Sequence, residues 1–362
     1  MSAPPARTQR EFAREELEKE LLHDYSTSGT GVVPAGERRS RWHFVALWIT
    51  LAAGFTYLFL GFEYHRVGYP LAKAVAAAAL GAFFYLCYAL PASYLGSRTG
   101  QTHALLTRSI FGVVGSVLVS LLLIGVAAYT IALAIGLVLF VIGGWMMAEI
   151  SDAVLFDFGP AYRDTVEFSL FGALWLGAVI ATVLQVAIND GNYYEMTNAG
   201  QNVLGGVRGW KRWYTCLIMA AIAAVFTWWF VRNPNVELNF FKVAGWSAIA
   251  LPCTTVVMCV DRFLLPRLLA VERPVEPIPE WRDAGAGNWP AIVAVLVALL
   301  FGAWGQGLFP GQTAAPSLGL VPVEAWVLAG ALYLALAAVA ARTAAAEVLL
   351  GFARPLRRGA GS

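Results

Sequence analysis

From Ile110 to Ala148 the chain runs for 39 residues without one charged side chain. A helix of that run would be about 58 Å long, nearly twice the ~30 Å of a bilayer's hydrocarbon. The run therefore predicts a tight hairpin of two helices, or one span with an overhang. Other apolar runs cover Trp42–Phe62, Pro70–Tyr94, Phe168–Leu204, Trp213–Val231, Leu238–Leu264, Pro290–Phe309 and Val323–Leu350. Only helices and closed barrels satisfy their backbone groups in lipid, and runs of about 20 apolar residues are helical spans. The pattern predicts an all-α polytopic membrane protein. Composition agrees: 59% of the 362 residues are hydrophobic and 13% are charged, with a mean hydropathy of +0.64.

Basic residues set the expected sidedness, because cytoplasmic loops concentrate Lys and Arg. Arg38, Arg39 and Arg41, then Arg98 and Arg108, then Arg208, Lys211 and Arg212 mark three cytoplasmic segments. Arg262, Arg267, Arg273 and Arg282 mark a fourth, and Arg354, Arg357 and Arg358 a fifth. The stretches "EYHRVG" (Glu63–Gly68) and "FPGQTAAPSLGLVP" (Phe309–Pro322) carry little positive charge and fit outside. Both termini are then cytoplasmic and the span count is even: eight if the long runs are single spans, ten if each is a hairpin. The expected organisation is a cytoplasmic tail over residues 1–41, a transmembrane domain over 42–350 and a cytoplasmic tail over 351–362. A Pro-rich cytoplasmic linker, residues 271–289, lies inside the domain. The polar N-terminus, "MSAPPARTQREFAREELEKELL", does not read as a cleaved signal peptide, and its mixed charges at helical spacing suit a short solvated helix. A plasma (inner) membrane location follows from these readings.

Several chemistries find no support. Cys87, Cys216, Cys253 and Cys259 are scattered through apolar runs, form no CxxC and read as small core residues. No HExxH, no GxSxG with partners and no Asp-rich phosphate motif is present, so an enzyme is not expected. A net charge of +2 makes no case for nucleic acid. No cofactor or metal is expected, and the expected partners are a small molecule and the lipid bilayer.

One stretch breaks the apolar pattern. "AINDGNYYEMTNAGQNV" (Ala187–Val203) follows the apolar residues 168–186 directly. Either it is a solvated hairpin loop, for which "NDGN" is a good turn, or it is a polar lining. On a helix Gly191, Glu195, Asn198 and Asn202 share one stripe. Asp190, Thr197 and Gln201 share another, roughly 110° away. A glycine beside a carboxylate and two amides suits a cavity. Asn and Gln offer a donor and an acceptor together, which matches the amide-like edge of a flat heterocycle, and an aromatic ring stacks on its face. The candidate substrate-binding residues are Asn198, Asn202, Tyr194, Gln185 and, as the stacking ring, Trp145. Glu195 and Asp190 are candidate coupling groups, because an intramembrane carboxylate marks an ion or proton path. Gly54 either breaks the first span near the ion or serves close packing. Pro252 is expected to kink its helix, and Asp261 with Arg262 to cap that helix's cytoplasmic end.

Three segments resemble the purine/cytosine permease family, also called the nucleobase:cation symporter-1 family. "LGSRTGQTHALLTRSIFGVVGS" (Leu95–Ser116) is similar to the family's glycine-flanked loop followed by Arg, Phe-Gly and Gly-Ser opening the third helix. Asp190, Tyr194 and Asn202 match an element late in the eighth helix. "LPCTTVVMCVDRFL" (Leu251–Leu264) is similar to the tenth helix, with Pro252 nine residues before Asp261. Asp24, Tyr25, Ser26, Val33, Pro34 and Arg38 fit the approach to the first span. The resemblance implies a LeuT-like bundle that imports a nucleobase or related nitrogenous heterocycle with H⁺ or Na⁺. Family members are built of about a dozen spans, so this chain is a shortened form of about 8–10 helices. The shortage falls between Ser116 and Asn189, where the family keeps its stacking tryptophans and half of its inverted repeat. The shortening leaves room for a homo-oligomer. It also keeps open an alternative: a non-transporting relative acting as a membrane sensor or accessory subunit.

Overall fold

The computed structural model describes residues 68–126, 196–204, 212–232, 236–273, 287–309 and 318–351. It also describes Ser40, Trp42, Gly61, Tyr64, His65, Trp145, Glu149 and Val179. The N-terminal tail, most of the first span, Gly54, Gln185, Asp190, Tyr194, Glu195 and residues 352–362 lie outside the described residues.

The protein is an all-α membrane protein. Among the described residues four helices are long and apolar enough to cross a bilayer: Leu71–Thr99, Leu105–Leu123, Gly245–Leu269 and Val321–Ala341. In chain order the elements are α1 (Leu71–Thr99), α2 (His103–Val126), α3 (Arg212–Arg232) and α4 (Val236–Cys259). A π-helical turn (Val260–Leu264) follows, then α5 (Leu265–Leu269), α6 (Trp289–Gly305), α7 (Val321–Ala341) and α8 (Ala346–Leu349). Residues 196–204 form a further helical segment between α2 and α3.

α4 is the centre. It packs against α1, α2, α3, α6 and α7, while α6 lies between α7 and α2. The core is built of small and branched side chains, among them Ile249, Cys253, Val257, Ala294, Val295, Ala298, Ala329 and Ala337. Small residues let helices approach closely where lipid supplies no hydrophobic drive. At Gly302 of α6 an added Cβ would meet Ile249 of α4 at 2.6 Å. α1 keeps a broad apolar face uncovered, with Leu80, Phe83, Leu86 and Leu90 exposed. In a membrane such a face meets acyl chains.

The segment expected as a loop, Gly96–Arg108, is mostly helix. α1 continues to Thr99, and Gly100 closes it in the left-handed region (φ 68°), its N–H donating to the Gly96 carbonyl. α2 begins at His103, seven residues before the apolar run starts. Thr107, Arg108 and Ser109 interrupt the apolar pattern here, yet all three are buried in the helix. The last span also stops early: α7 ends at Ala341 and a bend precedes α8, so Val323–Leu350 is not one helix. Of the four cysteines only Cys253 is buried, and Cys87 is exposed on α1.

Two irregularities shape the bundle. α2 is broken at Gly112, whose φ of 72° and ψ of −179° interrupt the helix. That region is open essentially to glycine alone. The π turn before α5 has a proline as its cause. Pro266 has no N–H to return to the Arg262 carbonyl, and its ring crowds that position. The turn widens instead, and the Leu265 N–H donates five residues back, to Val260.

Candidate functional site

Both irregularities sit at one end of the bundle. That end gathers the C-terminus of α1, the N-terminus of α2, the π turn, the start of α6 and the stretch after α7. Three consecutive α2 residues reach three different elements there, Arg108 and Ser109 through side chains that point about 100° apart and Ile110 through its carbonyl. Arg108 Nη2 donates to the Asn202 carbonyl (3.0 Å). Ser109 Oγ accepts from Arg262 Nη2 of the π turn (2.8 Å). The Ile110 carbonyl, released by the break at Gly112, accepts from Asn288 Nδ2 (2.9 Å).

Asn288 ties the broken helix to its neighbours. It is fully buried. Its backbone N–H donates to the Phe111 carbonyl (3.1 Å), the second acceptor freed by the break. Its Oδ1 caps α6 by accepting from Ala291 N–H (3.3 Å). Its Nδ2 also donates to Tyr333 Oη of α7 (3.0 Å). Tyr333 in turn donates to Asp261 Oδ2. Arg273 Nε lies 3.2 Å from Asp261 Oδ1 and 3.3 Å from Oδ2. Arg273 Nη2 donates to the Leu350 carbonyl (2.8 Å) and the Arg273 carbonyl accepts from Arg262 Nη1 (2.6 Å). Burial alone would push the Arg273 guanidinium down, but Asp261 and Tyr333 together more than offset this and the net direction is up. Burial also holds the nearby His103 imidazole down to about 4, so it brings no charge to this end at neutral pH.

These contacts correct one expectation. Asp261 and Arg262 do not form an exposed cap. Asp261 is 2% exposed and pairs with Arg273, twelve residues on. A buried charge needs a partner, and Arg273 supplies it. Of the stretch expected as a cytoplasmic linker, 271–289, the two ends are among the described residues, and there Val271, Arg273 and Asn288 are buried.

The second polar group lies on the 196–204 helix. Asn202 is 5% exposed and packs on α2 through Nδ2, which donates to Ser120 Oγ (2.8 Å) and reaches the Ser116 carbonyl (3.5 Å). Gln201, on the other stripe, accepts from Thr215 Oγ1 of α3 (2.8 Å). The residues 196–204 of the polar stretch are thus helix packed in the bundle. Asn198 is half-buried on the Asn202 stripe. Trp145 stands elsewhere, edge-on to His65 at 4.6 Å and packed with Ala74 and Ala78 of α1. His65 Nε2 also meets Glu149 at 2.9 Å. The contacts described for Trp145 and for Asn202 share no residue.

Two atoms in the Asn202 group remain unmatched. Arg108 Nε and Asn202 Oδ1 are buried, and neither has a hydrogen-bond partner. They belong to the two residues joined by the Arg108–Asn202 hydrogen bond. Buried polar atoms without a partner are uncommon in a finished core, and Arg262 Nε of the π turn is another. Arg108, Ser120 and Asn288 were not among the sequence candidates. Arg108 is legible in the permease-like motif, and Asn288 in its position one residue before Trp-Pro, a helix-start signal. Nothing in the sequence pairs Ser120 with Asn202.

No protein-family model, no curated protein and no solved structure matches the chain. The likeness to purine/cytosine permeases rests on the sequence motifs alone.

Proposed function

We propose that the chain is a secondary active transporter that moves a nucleobase-like or related small nitrogenous heterocycle across the inner membrane with H⁺ or Na⁺. The observation that carries this reading is the contact between Arg108 and Asn202 beside a broken membrane helix. Transporters place polar substrate groups where discontinuous helices and amide side chains replace water. Here α2 is discontinuous at Gly112. Four residues before the break an unmatched donor, Arg108 Nε, accompanies an unmatched acceptor, Asn202 Oδ1. A donor and an acceptor are what the N–H and C=O edge of a heterocyclic amide requires. Asn202 reads the edge, and Glu195 and Asp190 are the residues proposed to carry the coupling ion. Glu195 and Asp190 are proposed because an intramembrane carboxylate marks an ion or proton path; both precede Asn202 in the stretch.

The test is uptake of radiolabelled cytosine, uracil, adenine, hypoxanthine, allantoin and hydantoin by cells expressing the chain. Saturable uptake of one compound is expected. It is lost in Asn202→Ala and Glu195→Gln variants that still reach the membrane. Absence of uptake of every compound, with the folded protein in the membrane, overturns the reading and leaves the sensor or accessory role.

A further inference from the structure

We propose that Arg98 and Arg267 together hold the headgroup of an anionic phospholipid where α1 meets the π turn and α5. The inference needs only that the chain spans a membrane and is independent of the transporter reading.

α1 packs against α4, and both run toward the same end of the bundle, where Gly100 closes α1 and Ala270 closes α5. The Tyr94 and Phe263 rings meet there with centroids 6.3 Å apart. Four residues beyond each ring, about one helical turn nearer the end, stands an exposed arginine: Arg98 after Tyr94 and Arg267 after Phe263. One ring contact thus brings two guanidinium groups to the same level of neighbouring elements. Toward the middle of the bundle, Leu90 and Tyr94 of α1 and Leu264 of the π turn are exposed. The surface is apolar on the membrane side and cationic at the rim, the same division that a phospholipid has between acyl chains and phosphate. The level is that of the headgroups. Tyr94 and, in the first turn of α6, Trp289 are exposed aromatics at this same end, and such rings collect at the membrane–water boundary. The geometry of Arg98 suits a phosphate. Its guanidinium carbon lies 5.8 Å from the Tyr94 ring centroid, close enough for the ring to hold the cation at the rim. Such a contact uses the face of the guanidinium, whereas its N–H donors lie in the plane with which arginine takes phosphate. Glu272, five residues past Arg267, is exposed as well, so the end does not offer a uniformly positive field. Preference for an anionic lipid has to come from two guanidinium groups closing on one phosphate through charge-assisted hydrogen bonds.

Phosphatidylglycerol and phosphatidylcholine with the same acyl chains test this as a matched pair. Each is added to the purified full chain in a neutral detergent, and binding is read by native mass spectrometry and by the shift in thermal unfolding. Phosphatidylglycerol is expected to bind at least about 10-fold more tightly. Arg98→Gln and Arg267→Gln are each expected to lose most of that preference, and the double variant to lose little more, because the two side chains share one phosphate. Arg98→Lys with Arg267→Lys keeps both charges and is expected to retain part of it. Both positions are exposed, so unfolding temperatures without lipid are expected to change little. Equal binding of the two lipids to the unaltered chain overturns the inference, as does a preference that survives in the double Gln variant. Single losses that add in full in the double variant show two separate charges and overturn the shared headgroup. Inorganic phosphate that stabilises the chain as well as the lipid does assigns the pair to a soluble phosphate ligand and overturns the lipid.

Discussion

Asp261 shows what a single buried charge does in this bundle. At 2% exposure it holds Arg273, accepts from Tyr333 and through Tyr333 reaches Asn288. Replacing one member of such a pair costs more than the pair is worth, because the remaining charge is left in low dielectric. Asp261→Asn should therefore destabilise the protein by about 3–5 kcal/mol, read as a large fall in unfolding temperature in detergent. Adding Arg273→Gln to Asp261→Asn should recover much of the loss. A double variant no more stable than the single one would show that the pair is not the source of the stability. Asp261 also marks a limit of reading from sequence. Its place beside Arg262 suggests a cap, whereas its partner is twelve residues away across a turn that changes the chain's direction.

Among the elements, α2 is the one whose geometry is least like its hydropathy. The apolar run reads as a two-helix hairpin or as one span with an overhang, and neither reading places a break at Gly112, two residues into the run. Two carbonyls beside the break, Ile110 and Phe111, are taken by Asn288. Gly112→Ala should cost about 1–3 kcal/mol, since alanine is poorly suited to φ 72° and ψ −179°. The measurement is thermal unfolding beside Gly96→Ala, a helical glycine where an added Cβ meets only the Gln101 carbonyl at 3.9 Å. Equal stability of the two variants would mean that the break is not needed. A break was sought at Gly54, which lies outside the described residues. Glycine alone does not disclose which of its positions is bent. The decision rests on which neighbour can take up the freed carbonyls.

For the whole molecule, the charge rule and the fold agree on one point. Arg98 and Arg108 were read as sharing a side with Arg262, Arg267 and Arg273, and they gather at one end through the Ser109–Arg262 and Asn288–Ile110 contacts. We propose that this end faces the cytoplasm. In a chain with its four cysteines replaced, Thr102→Cys between α1 and α2 should react with an impermeant maleimide only in inverted vesicles. Leu318→Cys, 94% exposed before α7 at the opposite end, should react in intact cells. The reverse pattern would turn the molecule over and place the Arg108 site near the outer surface.

The helices α3, α4 and α6 lie close to their expected ranges, and α7 to its expected start, because their existence depends on local properties: an apolar run of sufficient length, with proline near the start of α6 and α7. The sequence by itself determined the class, an all-α membrane protein, since length and apolarity decide which segments can satisfy their backbone in lipid. It also singled out Asn202. Pairing was decided by the tertiary structure alone. Ser120 beside Asn202, Arg273 on Asp261 and Asn288 in the gap of α2 each join residues from different helices. Hydropathy is a property of one residue and its neighbours along the chain, whereas the partner of a buried charge or a freed carbonyl is chosen by what the packed helices bring within about 3 Å.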